Sequence, residues 1–195
     1  MRIIDLTHPI SKDVIEISLR SHTYLETRLD APALLVGHGK TVGLLSPNCL
    51  VRDIVLLDLT HKKPADPIDD EDLEAAEERA GLTVRESEAV ILQTSWRGSN
   101  RNHPELSMNG AEYLEFKRVA MVGVDSPNLD HSNSKGLPAH CILLRREIPM
   151  LENLCNLERL DQSRFRIIAL PLKVYVPASP VRAIAILDDS EVLRT

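Results

Sequence analysis

The sequence is poor in aromatic residues and has no excess of positive charge. Aromatic side chains make up only 3% of the 195 residues, so the core must be built from Leu, Ile, Val and Ala. The formal net charge is -6 at pH 7. Phosphate contacts need clustered Lys and Arg, so this charge argues against a nucleic-acid partner.

Long apolar runs and paired cysteines are also missing. No run approaches the roughly 20 apolar residues that span a bilayer, and Asp5 interrupts the N-terminal apolar residues too early for a signal peptide. The three cysteines, Cys49, Cys141 and Cys155, have no CxxC spacing and lie among apolar neighbours, which is typical of reduced thiols. These features predict a cytoplasmic protein without a membrane partner.

The order of apolar runs predicts one α/β domain over residues 1–195 with a mixed central sheet. Nearly continuous apolar runs are typical of strands buried on both faces, and they lie at 51–59, 88–94 and 119–124. Further strands are predicted at 2–6, 147–151, 165–172 and 181–187, and residues 11–29 are predicted as a strand with a turn. Helices are predicted at 69–80, 108–118 and 137–146. The proline-bearing segments 61–68 and 176–180 are predicted as a loop and a turn.

A loop dense in metal-binding donor atoms occupies residues 21–42. His22, Glu26 and Asp30 recur at four-residue spacing, and a glycine-rich turn holding His38 follows. Imidazole nitrogens and carboxylate oxygens are the donors that zinc and manganese take in proteins. The spacing alone leaves open a metal or substrate site here, or a polar turn with ordinary surface charges.

Two residues farther along the chain could complete such a site. His140 lies in the predicted helix 137–146, where its imidazole could point inward, and Glu152 follows the predicted strand 147–151. A divalent ion held by these residues would provide a water nucleophile for an amide, ester or lactone. The alternative is that each side chain is satisfied by a local hydrogen bond.

A cysteine nucleophile is the other chemistry that the sequence offers. Cys141 adjoins His140, and Cys155 lies near Glu152. Adjacent positions of a helix do not face each other, so Cys141 and His140 are poorly placed as a nucleophile and its base. The serines lack the GxSxG context of a nucleophile elbow. The metal hypothesis is therefore the stronger one.

Nine segments carry a resemblance to a known family. In chain order they are IDLTHPI (4–10), LDAPALLVGHGKTV (29–42), VLLDLT (55–60), VILQTSW (90–96), LSMNGAEYL (106–114), VGVDSPNLD (122–130), LPAHCILL (137–144), IPMLENLCNLERL (148–160) and LPLKVYVPASPVRAIAIL (170–187). This series resembles the cyclase family of metal-dependent hydrolases, which includes bacterial kynurenine formamidase and isatin hydrolase. The resemblance implies a swivelling β/β/α domain, assembled as a homodimer or a higher homo-oligomer.

The family's metal motif, HxGTHxDxPxH, is only partly kept. When the motif is aligned on Asp30, Tyr24 and Arg28 stand where the family has two metal-binding histidines. Leu34 stands where the family has the histidine that acts as acid or base. The guanidinium of Arg28 cannot ligate a metal and repels one by its charge. The resemblance therefore implies that one of the family's two metal positions is lost, unless His22, Glu26 or His38 supplies replacement donors from the same loop.

Three ligand positions survive. Asp30 keeps the family's bridging aspartate, and His140 and Glu152 match the remaining ligands in LPAHCILL and MLENL. The short segment between Pro9 and His22 lacks the Trp and Pro residues that family members carry there. An aromatic formamide is therefore a poor fit for this chain.

The resemblance implies a divergent hydrolase that acts on a C–N bond of a small amide, formamide or cyclic amide. Zinc or manganese would be held by Asp30, His140 and Glu152. Proton transfer would fall to Glu26, His22 or His38, and contacts with the small-molecule substrate to Tyr24, Arg28 and Trp96. A second hypothesis is a catalytically silent member in which Arg28 replaces the metal and binds a small anion. A structural subunit of a hetero-oligomer also stays open.

Overall fold

The computed structural model describes residues 1–10, 27–97, 102–131 and 134–188. The strands in these ranges are β1 Arg2–Asp5, β2 Arg28–Asp30, β3 Val51–Asp58, β4 Pro67–Ile68, β5 Ala89–Gln93, β6 Glu105–Leu106, β7 Met121–Val124, β8 Met150–Glu152, β9 Arg164–Pro171 and β10 Ala178–Leu187. The α-helices are α1 Pro47–Leu50, α2 Asp70–Ala80, α3 Met108–Phe116 and α4 Pro138–Arg145. Most of the strand predicted over 11–29 lies outside the described residues.

The sheet is a closed ring. Among the described residues, seven strands follow one another in the order β10-β2-β8-β7-β5-β3-β9, and β9 pairs back onto β10. Strand β1 pairs with β10 outside the ring. The neighbours from β3 through β5 and β7 to β8 are parallel, and the other pairings are antiparallel. The predicted mixed α/β fold is confirmed.

The two faces of the ring support two separate apolar cores. Ile54 and Leu56 of β3 belong to one buried cluster, which also holds Ile167 and Ala185 from the antiparallel half. Their neighbours in β3, Val55 and Leu57, belong to the other cluster, with apolar side chains of α2, α3 and α4. Alternate side chains of a strand point to opposite faces, so both faces of β3 are buried. This explains the nearly continuous apolar run over 51–59.

Three of the predicted boundaries that differ from the structure have a clear physical reason. The strand predicted over 147–151 begins at Met150, because Glu147 adopts a left-handed φ of 59° and a turn closes the helix α4 there. The turn predicted over 176–180 is shorter than expected, because Ala178–Pro180 already belong to β10 and pair with β2. The loop predicted over 61–68 ends in β4, whose two residues pair with β6 at an edge, where a proline is tolerated.

Helix α2 begins and ends as its sequence predicts. Asp69 and Asp72 form a capping box, in which the carboxylate of Asp72 accepts a hydrogen bond of 2.9 Å from the Asp69 N–H. Gly81 follows the last helical residue with a left-handed φ of 63°. No helix of the described residues has the length and apolar character needed to cross a membrane.

The capping box predicts a pH-dependent contribution to stability. Partial burial raises the pKa of Asp72, but hydrogen bonds from Lys62 and the Asp69 N–H outweigh it and hold that pKa below its usual value. Asp72→Ala should lower the free energy of unfolding by about 1 kcal/mol at pH 7. This contribution is full above the unfolded pKa of about 4 and is lost as the pH falls through the lower folded pKa.

Urea unfolding at pH 7 and at pH 3 measures this effect. Glu71→Ala is the matched control, because Glu71 lies exposed in the same first turn. We expect the control to change stability by less than about 0.5 kcal/mol. An equal loss in both variants would show that general charge near the helix N-terminus, rather than the capping box, stabilises α2.

Candidate metal centre

Two short paired strands place three charged side chains on one face of the sheet. Strand β2 pairs with β8 in antiparallel register, with Arg28 opposite Glu152 and Leu29 opposite Leu151. Leu29 and Leu151 point into the core enclosed by the ring. Arg28 and Glu152, together with Asp30 two positions along β2, therefore point to the opposite face.

Helix α4 brings His140 to the same face. The carboxylate of Asp130 accepts hydrogen bonds from the backbone N–H groups of Ala139 (2.9 Å) and His140 (3.1 Å) in the first turn of this helix. The same carboxylate lies 2.6 Å from Nδ1 of His140 and accepts a hydrogen bond from it. This contact fixes the ring and directs Nε2 towards Asp30 and Glu152.

The ligand atoms of Asp30, His140 and Glu152 lie within 4.8 Å of one another, and all three residues are buried. Nε2 of His140 is 3.4 Å from Oδ2 of Asp30 and 3.4 Å from Oε1 of Glu152. Ligand atoms of a tetrahedral centre with bonds of about 2.1 Å lie roughly 3.4 Å apart. The spacing of these atoms therefore suits an ion between them.

Arg28 lies against the same two carboxylates. Its Nε is 2.7 Å from Oδ1 of Asp30, and its Nη2 donates to Oδ2 of Asp30 at 2.7 Å. Nη2 also donates to Oε2 of Glu152, so one guanidinium nitrogen is shared by the two acids. The side chain is only 6% exposed. The guanidinium thus contacts both carboxylates, and Nε2 of His140 faces the same two groups.

The buried charges shift one another's protonation. Burial raises the pKa of Glu152 to about 7, despite the opposing charge of Arg28. Burial lowers the pKa of His140, but the carboxylates of Asp130, Asp30 and Glu152 outweigh it and raise the pKa to about 10. Burial raises the pKa of Asp30, but His140 and Arg28 outweigh it and hold that pKa below its usual value. Without an ion, positive and negative charge are therefore nearly matched.

One observation supports a single ion in this cluster. Nε2 of His140 is buried and makes no hydrogen bond, although two carboxylates face it. A buried ring nitrogen that makes no hydrogen bond is costly in a folded protein, and coordination of an ion would satisfy it. The donor set of one imidazole and two carboxylates is one that zinc and manganese accept. The residues present therefore fit one ion, next to the guanidinium of Arg28.

The structure brings together four of the predicted site residues, which are Asp30, His140, Glu152 and Arg28. Their role as ligands or as a substrate contact stays a prediction. His38 lies exposed in the turn after Pro32–Leu34. His22, Tyr24 and Glu26 lie outside the described residues, and their predicted roles are untested.

Trp96, predicted as a substrate contact, lies just beyond the end of β5. Its ring packs edge-on against His103, with 6.5 Å between the ring centroids. The loop that carries it is held by Asp125, whose carboxylate accepts hydrogen bonds from the N–H of Thr94 (2.9 Å) and the N–H of Ser95 (2.7 Å). Packing therefore accounts for the contact seen here, and the ligand role of Trp96 stays a prediction.

Sequence reasoning missed Asp130. This residue ends the segment VGVDSPNLD, and its carboxylate connects the first turn of α4 with the ring of His140. Its signal was present, because an acid shortly before a helix often accepts hydrogen bonds from the first free N–H groups. Asp130 lies nine positions before Ala139 in the sequence, however, so spacing alone did not associate it with the helix.

Loss of Asp130 should destabilise the protein strongly. Asp130→Ala leaves two backbone N–H groups and Nδ1 of His140 without their acceptor, and we expect a loss of about 3 kcal/mol in the free energy of unfolding. Asp188→Ala is the control, because Asp188 is exposed and accepts a hydrogen bond from Gln162 through its backbone carbonyl, which the substitution keeps. Urea unfolding in the presence of a chelator measures both. A loss below about 1 kcal/mol for Asp130→Ala would contradict this account of the site.

Comparison with known sequences identifies relatives along most of the chain. A family model described as Cyclase matches residues 4–131. A kynurenine formamidase from Bacillus cereus is 30% identical over 179 residues, which cover 89% of this chain and 80% of that protein. A kynurenine formamidase from Bordetella avium is 43% identical over 74 residues. In that comparison the chain spans only 35% of the relative's length.

Solved structures share the fold. Isatin hydrolase A from Labrenzia aggregata, bound to benzyl benzoate, matches with a TM-score of 0.80 and 22% identity over 94% of this chain and 93% of that chain. A potential metal-dependent hydrolase with cyclase activity matches with a TM-score of 0.78 and 24% identity over 94% and 96% of the two chains. The fold that the resemblance implied is therefore confirmed.

Proposed function

Because this chain belongs to the Cyclase family, we propose that it is a metal-dependent hydrolase that acts on the C–N bond of a small amide, formamide or cyclic amide. The buried Nε2 of His140, which faces two carboxylates without a hydrogen-bond partner, is the observation that carries the proposal. The substrate class is supported by the relatives, which are named kynurenine formamidase and isatin hydrolase.

Each residue of the cluster has a distinct task in this proposal. Asp30, His140 and Glu152 hold one zinc or manganese ion, and Asp130 holds the ring of His140 in the tautomer whose Nε2 is free to bind. The Leu129 N–H donates to Oε1 of Glu152 at 2.9 Å and orients that carboxylate. When bound, the ion supplies a Lewis acid and lowers the pKa of water.

Proton transfer needs a group that replaces the histidine missing at position 34. Leu34 has no group that can carry a proton. It is half-buried and packs against the apolar cluster that holds side chains of α2, α3 and α4. We propose Glu26, His22 or His38 for this step, because each carries a group that can accept a proton. The lack of aromatic residues between Pro9 and His22 favours a compact substrate over an aromatic one.

A metal-free binding protein is the second candidate. The observation in its favour is that the guanidinium of Arg28 already neutralises the carboxylates of Asp30 and Glu152. The same contacts weigh against the capture of a small anion, because that anion would approach two carboxylates as well as the guanidinium. The geometry therefore favours a cation site over an anion site.

Metal content tests the proposal. Protein purified without chelator, or incubated with zinc or manganese and then desalted, should retain about one ion per chain by elemental analysis. The double variant His140→Ala, Glu152→Ala should retain none, because two of the three ligands are gone. His61→Ala is the control and should behave as the wild type, since His61 is exposed. Metal-free wild-type protein after incubation with both ions would overturn the proposal.

Activity follows as the second measurement. The ion-loaded protein should hydrolyse at least one member of a panel of small formamides, lactams and lactones, and chelation should abolish the reaction. The double variant should be inactive at every ion concentration. If the wild type binds one ion yet cleaves none of the panel, the metal site stands and the proposed reaction class does not.

A further inference from the structure

Arg28 and the proposed ion use the same two carboxylates. Oδ2 of Asp30 lies 2.7 Å from Nη2 of Arg28 and 3.4 Å from Nε2 of His140. Glu152 instead uses its two oxygens separately, with Oε2 towards Arg28 and Oε1 towards His140. The guanidinium and an ion on the His140 side would therefore be close neighbours.

Without an ion, the carboxylates depend on Arg28. Asp30 and Glu152 are both fully buried. A buried carboxylate without a compensating charge is strongly destabilising, and removal of one partner of a buried ion pair costs more than the pair contributes. Arg28 provides this charge through Nε and Nη2, and the hydrogen bond of Nη2 to each acid adds geometric specificity. The metal-free fold therefore has its own counter-cation.

With an ion, the same guanidinium acts against binding. Arg28 is only 5% exposed, so water screens its charge poorly. Its positive charge repels a divalent ion that shares Asp30 and Glu152, and it already uses part of their negative charge. It also contacts Oδ1 of Asp30 and Oε2 of Glu152, and these oxygens are then not available to a second ion.

We propose that Arg28 is a built-in counter-cation, which keeps the metal-free protein folded, weakens the binding of the ion and limits the centre to one ion. This inference rests on the proposed ion site for its binding half only. The stability half concerns the metal-free protein and stands independently. The protein would then fold before it acquires metal and would release the ion reversibly.

Arg28→Met tests both halves, because methionine keeps much of the length of the side chain and removes its charge. In the presence of chelator, we expect the melting temperature to fall by about 10 °C relative to the wild type. In titrations with zinc alone and with manganese alone, we expect the variant to bind at least about tenfold more tightly than the wild type. Saturation with either ion should restore most of the lost melting temperature.

The matched controls are Arg166→Met and Arg28→Lys. Arg166 makes an exposed ion pair with Asp53, so its loss should change the melting temperature by less than about 3 °C and leave ion affinity unchanged. Arg28→Lys keeps the positive charge and loses the planar set of guanidinium donors. Its ion affinity should therefore stay within about threefold of the wild type. An unchanged melting temperature and affinity in Arg28→Met would overturn the inference.

Failure of Arg28→Met to fold still gives an answer. If the variant folds only when zinc or manganese is present, the counter-cation role is supported. If it folds under neither condition, Arg28→Lys decides, because tenfold tighter ion binding by this charged variant would contradict the repulsion argued here. If wild type and variants all bind no ion while the melting temperature of Arg28→Met falls, the proposed hydrolase fails and the stabilising role of Arg28 remains.

Discussion

The pairing of β2 with β8 is the constraint on which the candidate site depends. Each strand has only three residues, and the register sets Arg28 opposite Glu152 while Leu29 and Leu151 enter the core. Because side chains alternate along a strand, burial of the leucines forces the charged residues to the other face. The apolar core thus holds a group of charges in place, although the core makes no chemical contribution of its own.

The buried acids of the centre face buried cations. Asp30, Glu152 and Asp130 are buried acids, and Arg28 and His140 are the cations that face them. The cluster is therefore compatible with the folded state before any ion arrives. The resemblance implies ligand histidines at positions 24 and 28, where this chain has Tyr24 and Arg28, so a cation stands at one of the two positions.

Sequence patterns predicted the parts of the fold that local chemistry determines. The apolar runs at 51–59 and 119–124 and the capped helix from Asp70 reflect burial and capping, and both act over a few residues. The structure places Asp30, His140 and Glu152, the ligands that the resemblance implies, within 4.8 Å of one another, and their role as ligands stays a prediction. The contact of Arg28 with Glu152 was beyond sequence reasoning, because the two residues are 124 positions apart and meet only through strand register. Asp130 was missed for a similar reason, since a loop separates it from the helix that it caps.

The short strand β2 also has a mechanical consequence. It joins β10 to β8 and so completes the closed ring of the described residues, while it carries both Arg28 and Asp30. Its backbone amides cannot open to solvent unless the ring is broken at that position. Amide hydrogen exchange in β2 would then occur through large, cooperative openings rather than local fraying. The charges that hold the centre together and the hydrogen bonds that close the sheet would be lost in the same event.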